Sequence, residues 1–246
     1  MNYKLTITYD GSNYHGWAIQ PDVITIQATI EKVLNQLFDT KYIITYCSGR
    51  TDAFVHALQQ VVNFSNKKEF PLDKLKISLN KLLPLDIRVL NAEKADERFH
   101  ARFSAVSKTY VYKIYNGLEN EAFKHKYYLV YNKKINLPLL KKASKLLVGS
   151  HDFLSFSISD IKETVRTINY IKFKRNKKYI DIYVNGSGFL RGMVRMIVGT
   201  LIDINEGRKQ VEDINKFLKN PKKGSVVSKA RASGLYLYKV LYRNEK

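Results

Sequence analysis

The chain has 246 residues, 45% hydrophobic and 26% charged, an ordinary balance for one large globular domain or two small ones. Lysine and arginine total 42 against 22 aspartates and glutamates, a net charge of +20 that points to a polyanionic partner, nucleic acid or an anionic membrane surface. The longest apolar stretch, Met193 to Ile204, is broken by Arg195 and Asp203 and is too short to span a bilayer, so no membrane is expected. The N-terminus runs straight into an alternating segment and lacks the apolar core of a signal peptide. The single cysteine, Cys47, excludes an intrachain disulfide and fits a reducing cytoplasm.

In chain order, Tyr3 to Tyr9 alternates as a strand does. Ile26 to Phe38 carries apolar residues at Ile26, Ile30, Val33, Leu34 and Leu37, the stripe of an amphipathic helix. Strands follow at Tyr42 to Cys47 and Leu58 to Phe64. Leu72 to Leu83 reads as a helix stopped by Pro84, and Asp86 to Asn91 as a strand. The second half repeats this order with insertions. Lys108 to Tyr115 is a strand and Leu139 to Val148 a helix. Val165 to Lys174 and Tyr179 to Asn185 are strands joined by the basic turn Arg175 to Lys178. Phe189 to Ile204 and Val211 to Leu218 are helices, and Leu235 to Tyr242 is a last strand. Two β-α-β-β-α-β runs predict an α+β protein of two tandem ferredoxin-like lobes with mainly antiparallel sheet. The boundary falls near Arg102 to Ser107, giving lobes 1–104 and 105–246.

Between the strands ending at Cys47 and beginning at Leu58 lies Gly49-Arg50-Thr51-Asp52-Ala53-Phe54-Val55-His56-Ala57. An aspartate positioned in a turn beside an arginine can act as a nucleophile or stabilise a cation. Taken alone, the same triplet is more often a solvated ion pair. Tyr110 shares a strand face with Lys108, Tyr112 and Ile114, as sheet packing or as a wall on which a base could stack. Arg191 and Arg195 stand one turn apart on a helix that is otherwise apolar. A buried Arg195 needs an anionic partner, such as Asp52 or a substrate phosphate, unless it snorkels to the surface. Gly192 and Gly199 on that helix are expected to admit another backbone at close range.

The five histidines form no His-x-x-x-His pattern, and Cys47 has no cysteine partner, so zinc is not expected. Gly186-Ser187-Gly188 lacks the spacing and following strand of a dinucleotide site. His151-Asp152 reads as a catalytic pair or, preferably, as a helix-capping turn before Phe153. Lysine clusters interleaved with 17 tyrosines and 12 phenylalanines suit a folded RNA, where aromatic faces stack on bases and lysines track phosphates.

These segments together resemble the tRNA pseudouridine synthase A family over nearly the whole chain. The matching residues include Tyr9-Asp10-Gly11 with Gly16-Trp17, Thr25-Ile26-Gln27, and the loop Gly49 to Ala57. They continue through Phe99-His100-Ala101-Arg102-Phe103, Lys108 to Tyr112, Thr164 to Ile168, Phe189 to Arg195 and Gly234 to Leu237. The resemblance implies Asp52 as the catalytic carboxylate. It implies that Arg50 pairs with Asp52 or helps open the RNA, that Tyr110 contacts the target uracil, and that Arg195 salt-bridges the aspartate. It further implies a cytoplasmic homodimer that binds tRNA, acts on uridines of the anticodon stem-loop and uses neither metal nor organic cofactor. Two positions depart from the family pattern. Phe54 stands where glycine is usual, so a site needing positive φ would force a different loop path. Arg231 stands where proline is usual. Both departures leave open a paralogue acting on another RNA such as ribosomal RNA. A non-catalytic RNA-binding protein is the remaining alternative, against which stand Arg50, Asp52, Tyr110 and Arg195 together.

Overall fold

The computed structural model describes residues 1–117, 122–158 and 160–243. It divides into two compact units, Met1–Val106 with Tyr236–Lys246, and Ser107–Leu235. The chain mixes helices with strands that pair mainly antiparallel.

In the first unit the elements run β1 (Asn2–Tyr9), α1 (Ile26–Phe38), β2 (Tyr46–Cys47), β3 (His56–Ser65), α2 (Leu72–Leu82) and β4 (Ile87–Ala95). Strand β1 lies between β4 and β3, antiparallel to both, with Leu5 opposite Ala92 and Val62. On its other edge β3 carries β2, antiparallel. It also carries the last strand of the chain, which groups with this unit because Tyr236 and Leu237 pair parallel with His56 and Ala57. Helix α1 covers the predicted range to the residue. Ile26, Ile30, Val33 and Leu34 of the expected stripe are buried, Phe38 is buried in place of the half-buried Leu37, and Thr25 caps the helix by accepting from the Ala28 N–H. Tyr3, Phe38 and Phe64 form the aromatic centre of this core, with Tyr3 stacked on Phe64 at 4.9 Å.

Only Tyr46 and Cys47 of the predicted strand from Tyr42 pair with a neighbour. Side chains still alternate, with Ile43, Thr45 and Cys47 buried. The N–H groups of Ile43 and Thr45, however, go to the side chains of Asn35 and Glu31 on α1, at 2.9 and 2.7 Å. A backbone satisfied by a helix has no donors left for a ladder.

In the second unit β5 (Ala105–Asn116) pairs antiparallel with β9 (Tyr179–Gly186), β9 with β8 (Val165–Asn176), and β8 with the short β7 (Gly149–Asp152). Strand β6 (Leu129–Tyr131) adds to β5 in parallel. Strands β6 and β7 were not expected from sequence, being only a few residues long. Helix α3 is Leu137–Lys145, capped by the Asn136 side chain with a proline in its first turn. Helix α4 is Met193–Asn205, α5 is Asp213–Lys219, and β10 is Leu235–Tyr242 as expected. Among the described residues no helix is long and apolar enough to cross a membrane.

Helix α4 starts four residues later than its apolar pattern predicts. Gly192 sits just before it with φ +78°, and the segment ahead closes a separate turn from the Met193 N–H to the Leu190 carbonyl at 3.1 Å. Arg191 therefore precedes the helix, and its expected one-turn spacing from Arg195 does not hold. Gly199 does admit a second backbone, since a methyl group there would lie 2.5 Å from the Ser228 carbonyl oxygen.

Candidate active site

The segment Gly49 to Val55 bridges β2 and β3, and both of its ends are tied down. At the entrance the Ser48 N–H donates to the Val61 carbonyl at 2.8 Å, and Gln60 Nε2 donates to the Gly49 carbonyl at 2.7 Å. Gln60 is fully buried, so this anchor is shielded from water. At the middle, Trp17 N–H donates to the Thr51 carbonyl at 3.0 Å. The Tyr9 and Thr51 hydroxyls share a buried hydrogen bond of 2.8 Å. At the exit, the Phe54 N–H donates to the Tyr14 carbonyl at 3.2 Å. Tyr14 is itself held by its hydroxyl donating to Asp86 Oδ1 at 2.6 Å. Burial, together with that carboxylate, raises the phenol pKa well above its usual value.

Two glycines let this happen. Gly11 and Gly16 lie directly beneath the loop. A methyl group on Gly11 would fall 2.1 Å from the Val55 carbonyl oxygen, and one on Gly16 would fall 2.6 Å from that of Thr51. Gly16 also holds φ +91°, which other residues rarely adopt. Beside them the buried His56 accepts from the Gly11 N–H at 3.0 Å through Nδ1, and its ring stacks on Tyr236 at 4.5 Å. Sequence reasoning quoted Gly11 and Gly16 only as part of a signature and gave Thr51, Tyr14 and His56 no role. These residues act through close approach of segments distant in sequence, which no local pattern reports.

On this mount Asp52 is half-buried and Arg50 exposed. The Asp52 carbonyl accepts from the Val55 N–H at 3.2 Å, closing a four-residue turn. Phe54 is in that turn with φ +64°, so the phenylalanine keeps the left-handed conformation instead of forcing another path.

In the second unit Tyr110 is buried on β5 opposite Val184 of β9, with its ring edge-on to Phe189 at 5.1 Å. Arg195 is the half-buried residue on the otherwise buried inner turns of α4. Its Nε donates to the Ala230 carbonyl at 2.8 Å, and the Ala230 N–H returns to the Arg195 carbonyl at 3.0 Å. The neighbouring Arg231 has φ −56°, an angle proline also takes, so its departure from the family pattern leaves the backbone unstrained. Its carbonyl accepts from the Tyr112 hydroxyl at 2.8 Å, and burial raises the pKa of that phenol. Asp152 has the structural role expected of it, accepting from the Leu154 N–H at 2.9 Å where a short 3-10 turn begins. Among the described residues no group of three or more His, Cys, Asp or Glu side chains is placed to hold a metal ion.

A family model described as tRNA pseudouridine synthase matches residues 5–104 and 143–243. The chain belongs to that family. The matched ranges take in Arg50, Asp52 and Arg195, while Tyr110 lies between them. Relatives are similar over almost their full lengths. The tRNA pseudouridine synthase A of Malacoplasma penetrans is 45% identical over 98% of this chain and 100% of its own. That of Ureaplasma parvum is 41% identical over 98% and 100%. A tRNA pseudouridine synthase A 2 of Bacillus cereus is 43% identical over 97% and 98%. Among solved structures, an archaeal box H/ACA sRNP Nop10-Cbf5 complex matches with a TM-score of 0.38 and 8% identity. That match covers 82% of this chain and 43% of the other, a likeness too distant to carry an argument.

Proposed function

We propose that this pseudouridine synthase isomerises uridines in the anticodon stem-loop of tRNA, as a cytoplasmic homodimer, with Asp52 as its catalytic carboxylate. Arg50, Tyr110 and Arg195 hold the uridine and the strand around it. The observation that carries the reading is the mounting of Asp52 on a turn fixed from below by Gly11, Gly16, Tyr9 and Trp17. A carboxylate held this way keeps its geometry while a flexible RNA is brought to it.

The reaction breaks the bond between ribose C1′ and uracil N1, turns the ring and joins C5 to C1′. N1 gains a proton and C5 loses one, so nothing is consumed. C1′ becomes electron-poor as in glycoside cleavage, and a carboxylate stabilises or traps such a centre. Because no water is added, one carboxylate in a closed pocket suffices, and the uridine must first leave its stack to reach it.

The fold proposed with this function is two ferredoxin-like lobes, 1–104 and 105–246. The order β4-β1-β3-β2 in the first unit supports it, as does the chain order β5-α3-β8-β9-α4 in the second, into which β6 and β7 are inserted. The direct test is Asp52→Ala. Pseudouridine formation on transcribed tRNA should fall to background while tRNA binding survives. A variant with native turnover would remove Asp52 from the mechanism. Mapping pseudouridines in cellular RNA with and without the gene then tests the substrate, and lost sites outside tRNA would point to another RNA.

A further inference from the structure

Phe54 is the third residue of the turn that carries Asp52, and its φ of +64° is one that glycine or asparagine normally supplies at such a position. A bulky side chain there is strained. The turn does not relax, because the Phe54 N–H is bonded to the Tyr14 carbonyl and the Val55 backbone lies against Gly11. Burial does not compensate either, since Phe54 is 47% exposed. Its ring meets the exposed His15 at 5.9 Å, tilted by 54°. The His15 N–H is bonded in turn to the carbonyl of Ile24, whose side chain is 65% exposed. Two rings that reach solvent, Phe54 and His15, thus meet two residues from Asp52. Strain retained beside a reacting group without burial in return points to work done at the surface.

The chemistry supplies that work. Extruding a uridine leaves the adjacent base without a stacking partner, and an aromatic face replaces one with little regard to base identity. We propose that Phe54 stacks on the base next to the extruded uridine and so holds the opened strand over Asp52. It is a positioning residue for the RNA. The inference rests on the pseudouridine synthase reading.

The test uses the full chain with transcribed tRNA and steady-state pseudouridine formation. Phe54→Gly should raise KM about tenfold, the scale of one lost base–aromatic stack, and change kcat less. Its melting temperature should stay level or rise, because glycine relieves the positive φ. Phe54→Tyr and Phe54→Trp should keep the native KM. Phe54→Leu, apolar but with no flat face, should behave like Phe54→Gly. A native KM in Phe54→Gly or in Phe54→Leu overturns the proposal while leaving the enzyme reading intact. A native chain with no turnover on tRNA overturns that reading and this inference with it.

Discussion

A methyl group on Gly11 would meet the Val55 carbonyl oxygen at 2.1 Å, which no side-chain rearrangement can accommodate. Backbone must move, and the backbone in question carries Asp52. Gly11→Ala should therefore destabilise the protein by about 1–3 kcal/mol, the range for overpacking a filled site. It should lower kcat more than it weakens tRNA binding. Denaturant midpoints and single-turnover rates check both, and a native rate would show that the loop tolerates displacement. Arg50 and Asp52 drew notice in the sequence because charge in a turn between strands stands out locally, but their proposed roles came from the family resemblance. Their support drew no such notice, because glycine contacts made across forty residues leave no periodic trace.

Elements were legible where burial follows a regular period. Helix α1 was placed to the residue because its stripe repeats every three to four positions and Thr25 marks its start. Helix α4 was begun too early because Phe189 and Leu190 continue its apolar pattern, whereas Gly192 sets the chain direction through a positive φ. The segment from Tyr42 alternates like a strand, yet Asn35 and Glu31 on α1 take its donors. Asp203, first noted only as a break in an apolar run, proves to organise the end of α4. It is 3% exposed and accepts from Arg208 Nε at 2.9 Å, with Lys209 Nζ and the Ser228 hydroxyl bonded to its other oxygen. Burial alone would raise its pKa. The bonds from Lys209, Ser228 and Arg208 outweigh that and hold it below the ordinary 3.8. A lowered folded-state pKa contributes stability above the unfolded value, which is lost as pH falls through the folded one. Asp203→Asn should thus cost about 1–3 kcal/mol near neutrality. Its deficit against the native protein should shrink below pH 3.8, as read from urea midpoints across pH. A constant deficit would show that the charge of Asp203 is not what the network uses.

For the whole molecule, the charge of +20 sets how it meets RNA. Each phosphate neutralised releases counterions, so affinity should fall steeply with salt. If six or more phosphates are engaged, tRNA affinity should drop about a thousandfold between roughly 50 and 200 mM salt. Anisotropy titrations across a salt series measure the slope, and a shallow one would shift the weight of recognition from lysine to the aromatic surface. The basic excess was plain in the composition alone, as was the polyanionic partner it implies. Which uridine is chosen was not, because that depends on side chains brought to one place by the fold.

The glycine mount beneath Asp52 bears on how such an enzyme diversifies. Positions that face the mount are fixed by contact, so a change there disturbs the turn and the fold at once. Phe54 is 47% exposed on the same turn and lies outside those glycine contacts. A lineage could therefore tune how firmly the enzyme grips its RNA by trading one residue at the loop tip. A laboratory could do the same with a saturation library at this single codon, screened for tRNA affinity.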